Sequence, residues 1–170
     1  MALEASADTE FSEFMHARWY QLVRLGFGLT GDRQAAEDLA QTAFARAYAS
    51  WPRVRRAEDP DAYVRRIVVN ANRDRFRKLR VSELLTDSLP ELAVPSDAAG
   101  ERDDRAALIE ALMRLSYGQR AAVVLRYWLD LTEAETAEVL GCSIGNVKSQ
   151  AARGLAKLRS SAALVEGGLL

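Results

Sequence analysis

The sequence predicts an all-helical protein with two small helical domains joined by an acidic linker. Apolar residues recur at steps of three and four along most of the chain, which is the period of a helix with one buried face. Capping residues separate these segments, and no alternating pattern long enough for a strand interrupts them. Between residues 81 and 104 the period is lost and Pro90, Pro95 and Gly100 occur, so this stretch is predicted to be the linker.

The N-terminal domain, residues 1–80, is predicted to contain three helices. The apolar face of the first helix consists of Phe11, Phe14, Met15, Trp19, Leu22 and Val23. Asp32 can cap the second helix, and Pro52 ends it because proline disfavours helical geometry in the residue before it. Asp59 followed by Pro60 has the pattern of an N-cap and a first helical residue, so the third helix begins there and runs to about Arg80.

The C-terminal domain, residues 105–170, is also predicted to be helical. Ser116 with Gln119, and Thr132 with Glu135, have the spacing of capping boxes that open two helices. We expect long-range packing to stay within each domain, so that no continuous core forms across the linker.

Composition excludes several classes of protein. One cysteine, Cys142, forms no internal disulfide, and with the single His16 it falls short of the roughly four ligands of a structural zinc site. The N-terminus lacks the pattern of a signal peptide, and no run of roughly 18 apolar residues predicts a membrane span. These observations predict a cytoplasmic protein with no metal and no cofactor.

One motif points to nucleotide binding and is interpreted otherwise. Gly26, Gly28 and Gly31 spell G-x-G-x-x-G, but a dinucleotide site requires a preceding strand, and the residues before Gly26 have a helical period. We interpret these glycines as loosening a helix end. The acid pair Glu37-Asp38 lacks a nucleophile or metal ligand beside it, so no catalytic site is predicted.

Charge is segregated along the chain although the net charge is only -1. Residues 51–80 carry 10 basic and 4 acidic side chains, whereas residues 81–118 carry 3 basic and 8 acidic ones. Charge alone leaves two interpretations of the basic block open, a polyanion-binding surface and a solvated arginine-rich helix face.

Residues 133–153 are the most informative segment. Gly141 is suited to close a short helix, Ser143 can cap a second one, and Val147 can pack the second helix onto the first. This pattern favours a DNA-binding helix-turn-helix over an ordinary helical hairpin. Side chains in the first turns of the second helix would then face a major groove: Asn146, Lys148, Ser149, Gln150 and Arg153.

The segment LTEAETAEVLGCSIGNVKSQAARGLAKLR resembles the C-terminal DNA-binding domain of bacterial RNA polymerase sigma factors of the extracytoplasmic-function group. GDRQAAEDLAQTAFARAYASW resembles the polymerase-binding helix of that family, and DPDAYVRRIVVNANRDRFRK resembles its promoter-melting and minus-ten recognition helix. The three motifs stand in the order of the family, over roughly residues 10–160. The arrangement is most similar to small actinobacterial-type members.

The resemblance implies a subunit that binds RNA polymerase core, through its beta and beta-prime subunits, and directs it to promoters without catalysing a reaction. Polymerase binding would use Glu37, Asp38, Gln41 and Phe44. Minus-ten DNA would be bound by Trp51, Arg65, Arg66, Asn70, Arg73, Arg75, Arg77, Lys78 and Arg80, with Asn70 reading a base and Trp51 serving as a stacking platform or a core residue. The helix-turn-helix residues would bind the minus-thirty-five element. An anti-sigma protein is a further candidate partner, which an exposed apolar groove would suit.

The sequence departs from the family at Gln150, where the family usually has arginine, so minus-thirty-five preference is expected to differ. The main alternative is a helix-turn-helix transcriptional regulator that does not bind polymerase core. A helical scaffold with solvated charges is a third class. Copurification with polymerase core separates the first interpretation from the other two.

Overall fold

The structure, a computed structural model, describes residues 2–85 and 101–161, with side chains over residues 5–82 and 104–161. Every regular element in these ranges is helical, as predicted. The predicted linker lies largely outside them, at residues 86–100, as does the C-terminal tail from residue 162. The N-terminal half contains α1 (Ala2–Thr30), α2 (Arg33–Ala49), α3 (Trp51–Val54) and α4 (Pro60–Leu85). The C-terminal half contains α5 (Glu101–Met113), α6 (Tyr117–Val123), a π-helical segment (Val124–Trp128), α7 (Glu133–Leu140) and α8 (Ile144–Arg159).

The predicted helix starts are confirmed by their side-chain hydrogen bonds. Asp32 accepts from the backbone N–H of Ala35 at 2.6 Å, and Asp59 caps α4 in the same way. Both predicted capping boxes form, with Ser116 opening α6 and Thr132 opening α7. Each cap satisfies backbone donors that have no partner within the helix, so the helix starts follow from local chemistry.

Several element bounds differ from those predicted. The third predicted helix, α4, continues past Arg80 to Leu85, and α5 begins at Glu101, four residues earlier than expected. Between Ser50 and Asp59 the chain forms the short helix α3, because Pro52 occupies an early helical position where its missing N–H costs nothing.

The core of the N-terminal half lies between α1, α2 and α4. Its centre is a group of aromatic rings in which Phe11 contacts Phe44 edge-on at 6.4 Å and Trp51 edge-on at 5.2 Å between centroids. Trp19 stacks on Phe44 at 6.1 Å. This geometry suits the charge distribution of aromatic rings and holds α2 and α3 against α1.

The expectation that packing stays within each domain is wrong. One buried apolar cluster includes Leu25 and Val68 of the N-terminal half together with Val124 and Leu125 of the C-terminal half. The π-helical segment packs on α1, and α7 packs on α4. Sequence periodicity shows that a helix has an apolar face, but not which other helix covers that face.

The glycines of the G-x-G-x-x-G motif make this packing possible. A Cβ atom on Gly28 would lie 2.8 Å from Cγ1 of Val124, and one on Gly26 would lie 2.9 Å from the Cα atom of Ala36. Gly31 adopts a φ of +67° and ends α1. The glycines therefore permit close helix contacts, whereas the sequence interpretation was that they loosen a helix end.

A buried arginine joins the two halves. Arg120 is 7% exposed, and its guanidinium donates to the carbonyl oxygen of Leu29 at the end of α1 at 2.9 Å. The same group donates to three carbonyl oxygens at the end of α5 and beyond it, those of Leu112, Met113 and Leu115. Helix C-termini carry partial negative charge, so the carbonyl groups compensate the buried cation. Burial lowers the pKa of Arg120 from its ordinary value.

Candidate nucleic-acid interface

The helix-turn-helix predicted for residues 133–153 is present as α7, a three-residue turn and α8. Gly141 ends α7 with a φ of +65°, and the N–H of Cys142 donates to the carbonyl oxygen of Ala137 at 3.1 Å. Ser143 accepts from the N–H of Asn146 at 3.1 Å and thereby caps α8. The inward stripe of α8 consists of Val147, Ala151, Gly154 and Leu158, all of them buried. This stripe fixes the rotation of α8, so the helix presents its other residues outward.

The predicted minus-thirty-five residues divide into two groups. Asn146, Lys148 and Arg153 are exposed, whereas Ser149 and Gln150 are half-buried. The amide of Gln150 lies beside Gly118 at the start of α6, since a Cβ atom there would contact it at 3.4 Å. Lys148 forms an ion pair with Glu133 of α7, with a distance of 3.5 Å between Nζ and Oε2. Three of the five side chains are therefore exposed, and one of these, Lys148, is held in an ion pair.

The basic block of residues 51–80 is mostly the exposed surface of α4. Arg75, Arg77, Lys78 and Arg80 are all exposed, and Asn70 is exposed one turn before Asp74. The neighbouring amide, Asn72, is buried, so Asn70 is the amide of this pair that solvent and a ligand can reach. These positive charges on one helix end form a surface that suits a phosphate backbone.

The other three predicted arginines of α4 lie towards the C-terminal half. Arg66 donates to the carbonyl oxygen of Glu138 in α7, and Arg73 lies over the ring of Tyr117 at 5.6 Å from its centroid. The hydrogen bond from the Thr132 backbone lowers the pKa of the Glu135 carboxyl, and the nearby charge of Arg65 contributes to this in a smaller way. These arginines thus help to hold the two halves together in this conformation.

Trp51 is a core residue and not an accessible stacking platform. It is 5% exposed and packs its ring against Phe11 and Phe14. Its indole N–H is buried without a hydrogen-bond partner. A base cannot stack on a ring that is buried in the core, so of the two roles predicted for Trp51 the core role holds.

The predicted polymerase-binding residues of α2 also differ in their exposure to solvent. Asp38 and Gln41 are exposed and Glu37 is half-buried, with Asp38 accepting from Gln34 at 3.1 Å and Glu37 paired with Arg33 at 3.1 Å. Phe44 is wrongly assigned to this surface. It is 3% exposed because its ring fills the space between Phe11 and Trp19.

Sequence reasoning missed the residues that join the halves, above all Tyr117 and Arg120. Tyr117 follows the cap Ser116 directly, and Arg120 follows Gln119 of the same capping box. Their positions in the first turn of a short helix were visible in the sequence. Their partners, Val69 and Leu29, lie 48 and 91 residues away, and no local pattern indicates such pairs.

Comparison with known proteins shows the family. Residues 16–81 match Sigma-70 region 2, and residues 105–158 match Sigma-70 region 4. The RNA polymerase sigma-E factor of Streptomyces antibioticus is 40% identical over 150 residues, covering 88% of this chain and 83% of that protein. The chain belongs to the extracytoplasmic-function group of RNA polymerase sigma factors. It is a sigma factor of the actinobacterial type, and sigma factors direct RNA polymerase to promoters.

More distant relatives of this sigma factor are similar over most of their length. The ECF RNA polymerase sigma factor SigM of Mycobacterium tuberculosis is 32% identical over 148 residues, covering 87% of this chain and 74% of that protein. Two solved structures share the fold. The sigma factor RpoE from Bartonella quintana, in complex with the anti-sigma factor NepR, has a TM-score of 0.75 at 23% identity and covers 88% of this chain and 94% of its own. CnrH in complex with the cytosolic domain of CnrY has a TM-score of 0.64 at 24% identity, covering 98% and 96%.

The match to region 2 bears on the alternative interpretation. A helix-turn-helix regulator that does not bind polymerase core explains region 4 but leaves the N-terminal match unexplained, so this alternative is not favoured. Over the residues described, no helix is long and apolar enough to cross a membrane. The same residues contain no group of three or more histidine, cysteine or acidic side chains able to hold a metal ion.

Proposed function

We propose that this sigma factor uses three separate surfaces: α2 for polymerase core, α4 for the minus-ten element and α8 for the minus-thirty-five element. The main support is that buried residues determine which face of α8 points outward. Its inward stripe is fully packed, and Asn146, Lys148 and Arg153 remain exposed at the position where a helix-turn-helix meets the major groove. The match to region 4 supports this role.

Minus-thirty-five specificity is proposed to depend most on Arg153. It is exposed, and arginine can donate two parallel hydrogen bonds to guanine, worth about 1–3 kcal/mol of discrimination. Gln150 is half-buried beside Gly118, so we assign it the smaller part. Arg153→Ala should therefore abolish preference at one base pair, whereas Gln150→Ala should change it less. Affinities for duplexes with single base changes test this, and equal weakening of every duplex would make Arg153 a phosphate contact.

Minus-ten binding is proposed to begin on the exposed part of α4. Asn70, Arg75, Arg77, Lys78 and Arg80 are accessible as the structure stands. Arg66 and Arg73 contact the C-terminal half, so binding of DNA by these two side chains would compete with those contacts. Asn70→Ala should change base preference near the minus-ten element, and unchanged promoter selectivity would contradict its reading role.

Polymerase core, through its beta and beta-prime subunits, is proposed to bind the exposed face of α2 at Glu37, Asp38 and Gln41. The double variant Asp38→Ala/Gln41→Ala should remain folded and lose binding to core. A matched control is Glu13→Ala/Gln21→Ala, which removes an exposed acid and an exposed amide from α1. Copurification of both variants with core tests the surface. Wild-type affinity of the α2 variant would contradict it.

We also propose that the chain works in the cytoplasm, without catalysis of its own, and that an anti-sigma protein restrains it. Support for the partner comes from the fold, since the sigma factor RpoE of Bartonella quintana was solved in complex with the anti-sigma factor NepR. Leu79 and Val81 are exposed apolar side chains near the end of α4 that suit a partner. Recovery of a second protein that polymerase core displaces from the purified chain tests the proposal.

A further inference from the structure

Ile144 is an exposed aliphatic side chain on a helix that otherwise covers its large aliphatic residues. It is 44% exposed, whereas Val147 and Leu158 of the same helix are buried and Leu155 is half-buried against the core. Ile144 does not belong to the apolar cluster of the protein. Its exposed side chain is therefore available to a binding partner.

Ile144 lies at the N-terminal end of α8, the end of the second helix that would face the DNA groove. It is the first residue of α8, directly after the cap Ser143, and residues at this end of the second helix contact base edges. The next residue, Gly145, is exposed and has no side chain, and a Cβ atom placed there would make only an ordinary contact, 3.9 Å from Oγ of Ser143. Nothing at position 145 therefore shields Ile144 from a groove.

The chemistry of the major groove limits what an isoleucine can read there. Base edges present hydrogen-bond donors and acceptors, and their one apolar group is the C5-methyl of thymine. Asn146, which is exposed in the same turn, can make hydrogen bonds, but Ile144 cannot. We propose that Ile144 contacts a thymine methyl group in the minus-thirty-five element and is a specificity residue of this sigma factor. The inference rests on the proposed role of α8.

The test removes only the C5-methyl group of individual thymines in the DNA. Holoenzyme assembled from the full chain and polymerase core binds a promoter duplex in which each minus-thirty-five thymine is replaced, one at a time, by deoxyuridine. Wild type should lose about fourfold in affinity at one position, the effect of about one buried methyl group. Ile144→Ala should show no loss at that position and the wild-type response at all others. Ile144→Val, which keeps a branched side chain, should retain part of the discrimination.

Two outcomes contradict the proposal. The first is that wild type binds every deoxyuridine duplex as tightly as the thymine duplex. The second is that Ile144→Ala shows the same ratio of affinities for the thymine and deoxyuridine duplexes as wild type. Tyr20→Ala is the matched control, because Tyr20 is a large side chain that is 76% exposed on α1, away from the recognition helix and from the other proposed surfaces. Since Ile144 is exposed, its variants should melt like wild type, which separates a lost contact from lost folding.

The outcome also distinguishes this inference from the proposed function. If α8 does not enter the groove, Arg153→Ala and base changes in the minus-thirty-five element leave binding unchanged, and both proposals fail. If Arg153→Ala alters base preference while the methyl group has no effect, only the role of Ile144 fails.

Discussion

The hydroxyl of Tyr117 donates a hydrogen bond to the carbonyl oxygen of Val69 at 2.7 Å, joining the first turn of α6 to the middle of α4. The ring of Tyr117 also contacts Phe76 at 6.2 Å between centroids. One tyrosine thus connects the region 2 and region 4 halves on the same helix that carries the basic block. The strength of this connection bears on how readily α4 can take up its proposed role in binding DNA.

Tyr117→Phe should lower the free energy of unfolding by about 1 kcal/mol, because it removes the hydrogen bond and keeps the ring. Urea denaturation followed by circular dichroism measures the change. Tyr20→Phe is the control, since Tyr20 is an exposed tyrosine of α1. An equal effect of both variants would show that the bond contributes nothing.

The same bond predicts a dependence on alkaline pH. Burial raises the pKa of Tyr117 above its ordinary value of 10.0 and outweighs the charge of Arg73, which lowers it. The neutral hydroxyl is the favoured form in the folded protein, so its stabilisation is complete below about pH 10 and is lost as pH rises through the folded pKa. The stability difference between wild type and Tyr117→Phe should therefore stay constant up to about pH 9 and shrink as the pH rises above about 10. A constant difference would contradict the assignment.

Arg120→Met should destabilise the protein by about 2–3 kcal/mol, because it removes the buried guanidinium that donates to four carbonyl oxygens. Arg120→Lys should recover little of this loss, since an ammonium group cannot reproduce the fork of a guanidinium. Arg114→Met serves as control on the exposed side of α5, where Arg114 pairs with Glu110. Thermal melting of the three variants measures these differences, and near-wild-type stability of Arg120→Lys would argue for charge alone.

Gly28→Ala should force the halves apart, because the new Cβ atom would lie 2.8 Å from Val124. The expected cost is about 1–3 kcal/mol, with a larger radius of gyration by small-angle X-ray scattering. Adding Val124→Ala removes the clashing methyl groups, so the double variant should lose less stability than the two single variants together. Gly145→Ala is the control, since a Cβ atom there would make only an ordinary contact, 3.9 Å from Oγ of Ser143. Additive losses would rule out a direct clash.

Arg77→Ala should weaken binding to promoter DNA by a similar factor on every sequence and reduce the salt slope by about one unit. Arg77 is exposed on α4 and is proposed to contact a phosphate. Titration of binding against salt concentration measures this slope. An unchanged slope would place Arg77 outside the interface, and a sequence-dependent loss would instead indicate base reading.

Local chemistry explains what the sequence could predict. Caps such as Asp32, Ser116 and Thr132 act within three residues, so their helices were predictable, and the turn at Gly141 was predictable for the same reason. Phe44 was misassigned because an apolar residue on a helix can belong to a core or to a binding surface, and only its neighbours decide which. The contact of Tyr117 with Val69 could not be predicted, because it depends on how two separately predicted halves meet.

The close contact between α1 and the π-helical segment limits how freely regions 2 and 4 can be exchanged between sigma factors. Regions 2 and 4 are separate units in sequence, yet Val124 fits against Gly28 only because position 28 has no side chain. A chimera that takes residues 1–80 from a paralogue with alanine or a larger residue at position 28 would carry a steric mismatch along with its promoter preference. A functional hybrid of this protein therefore needs compatible residues at positions 28 and 124, so Gly28 and Val124 should be transferred together even though they belong to different regions.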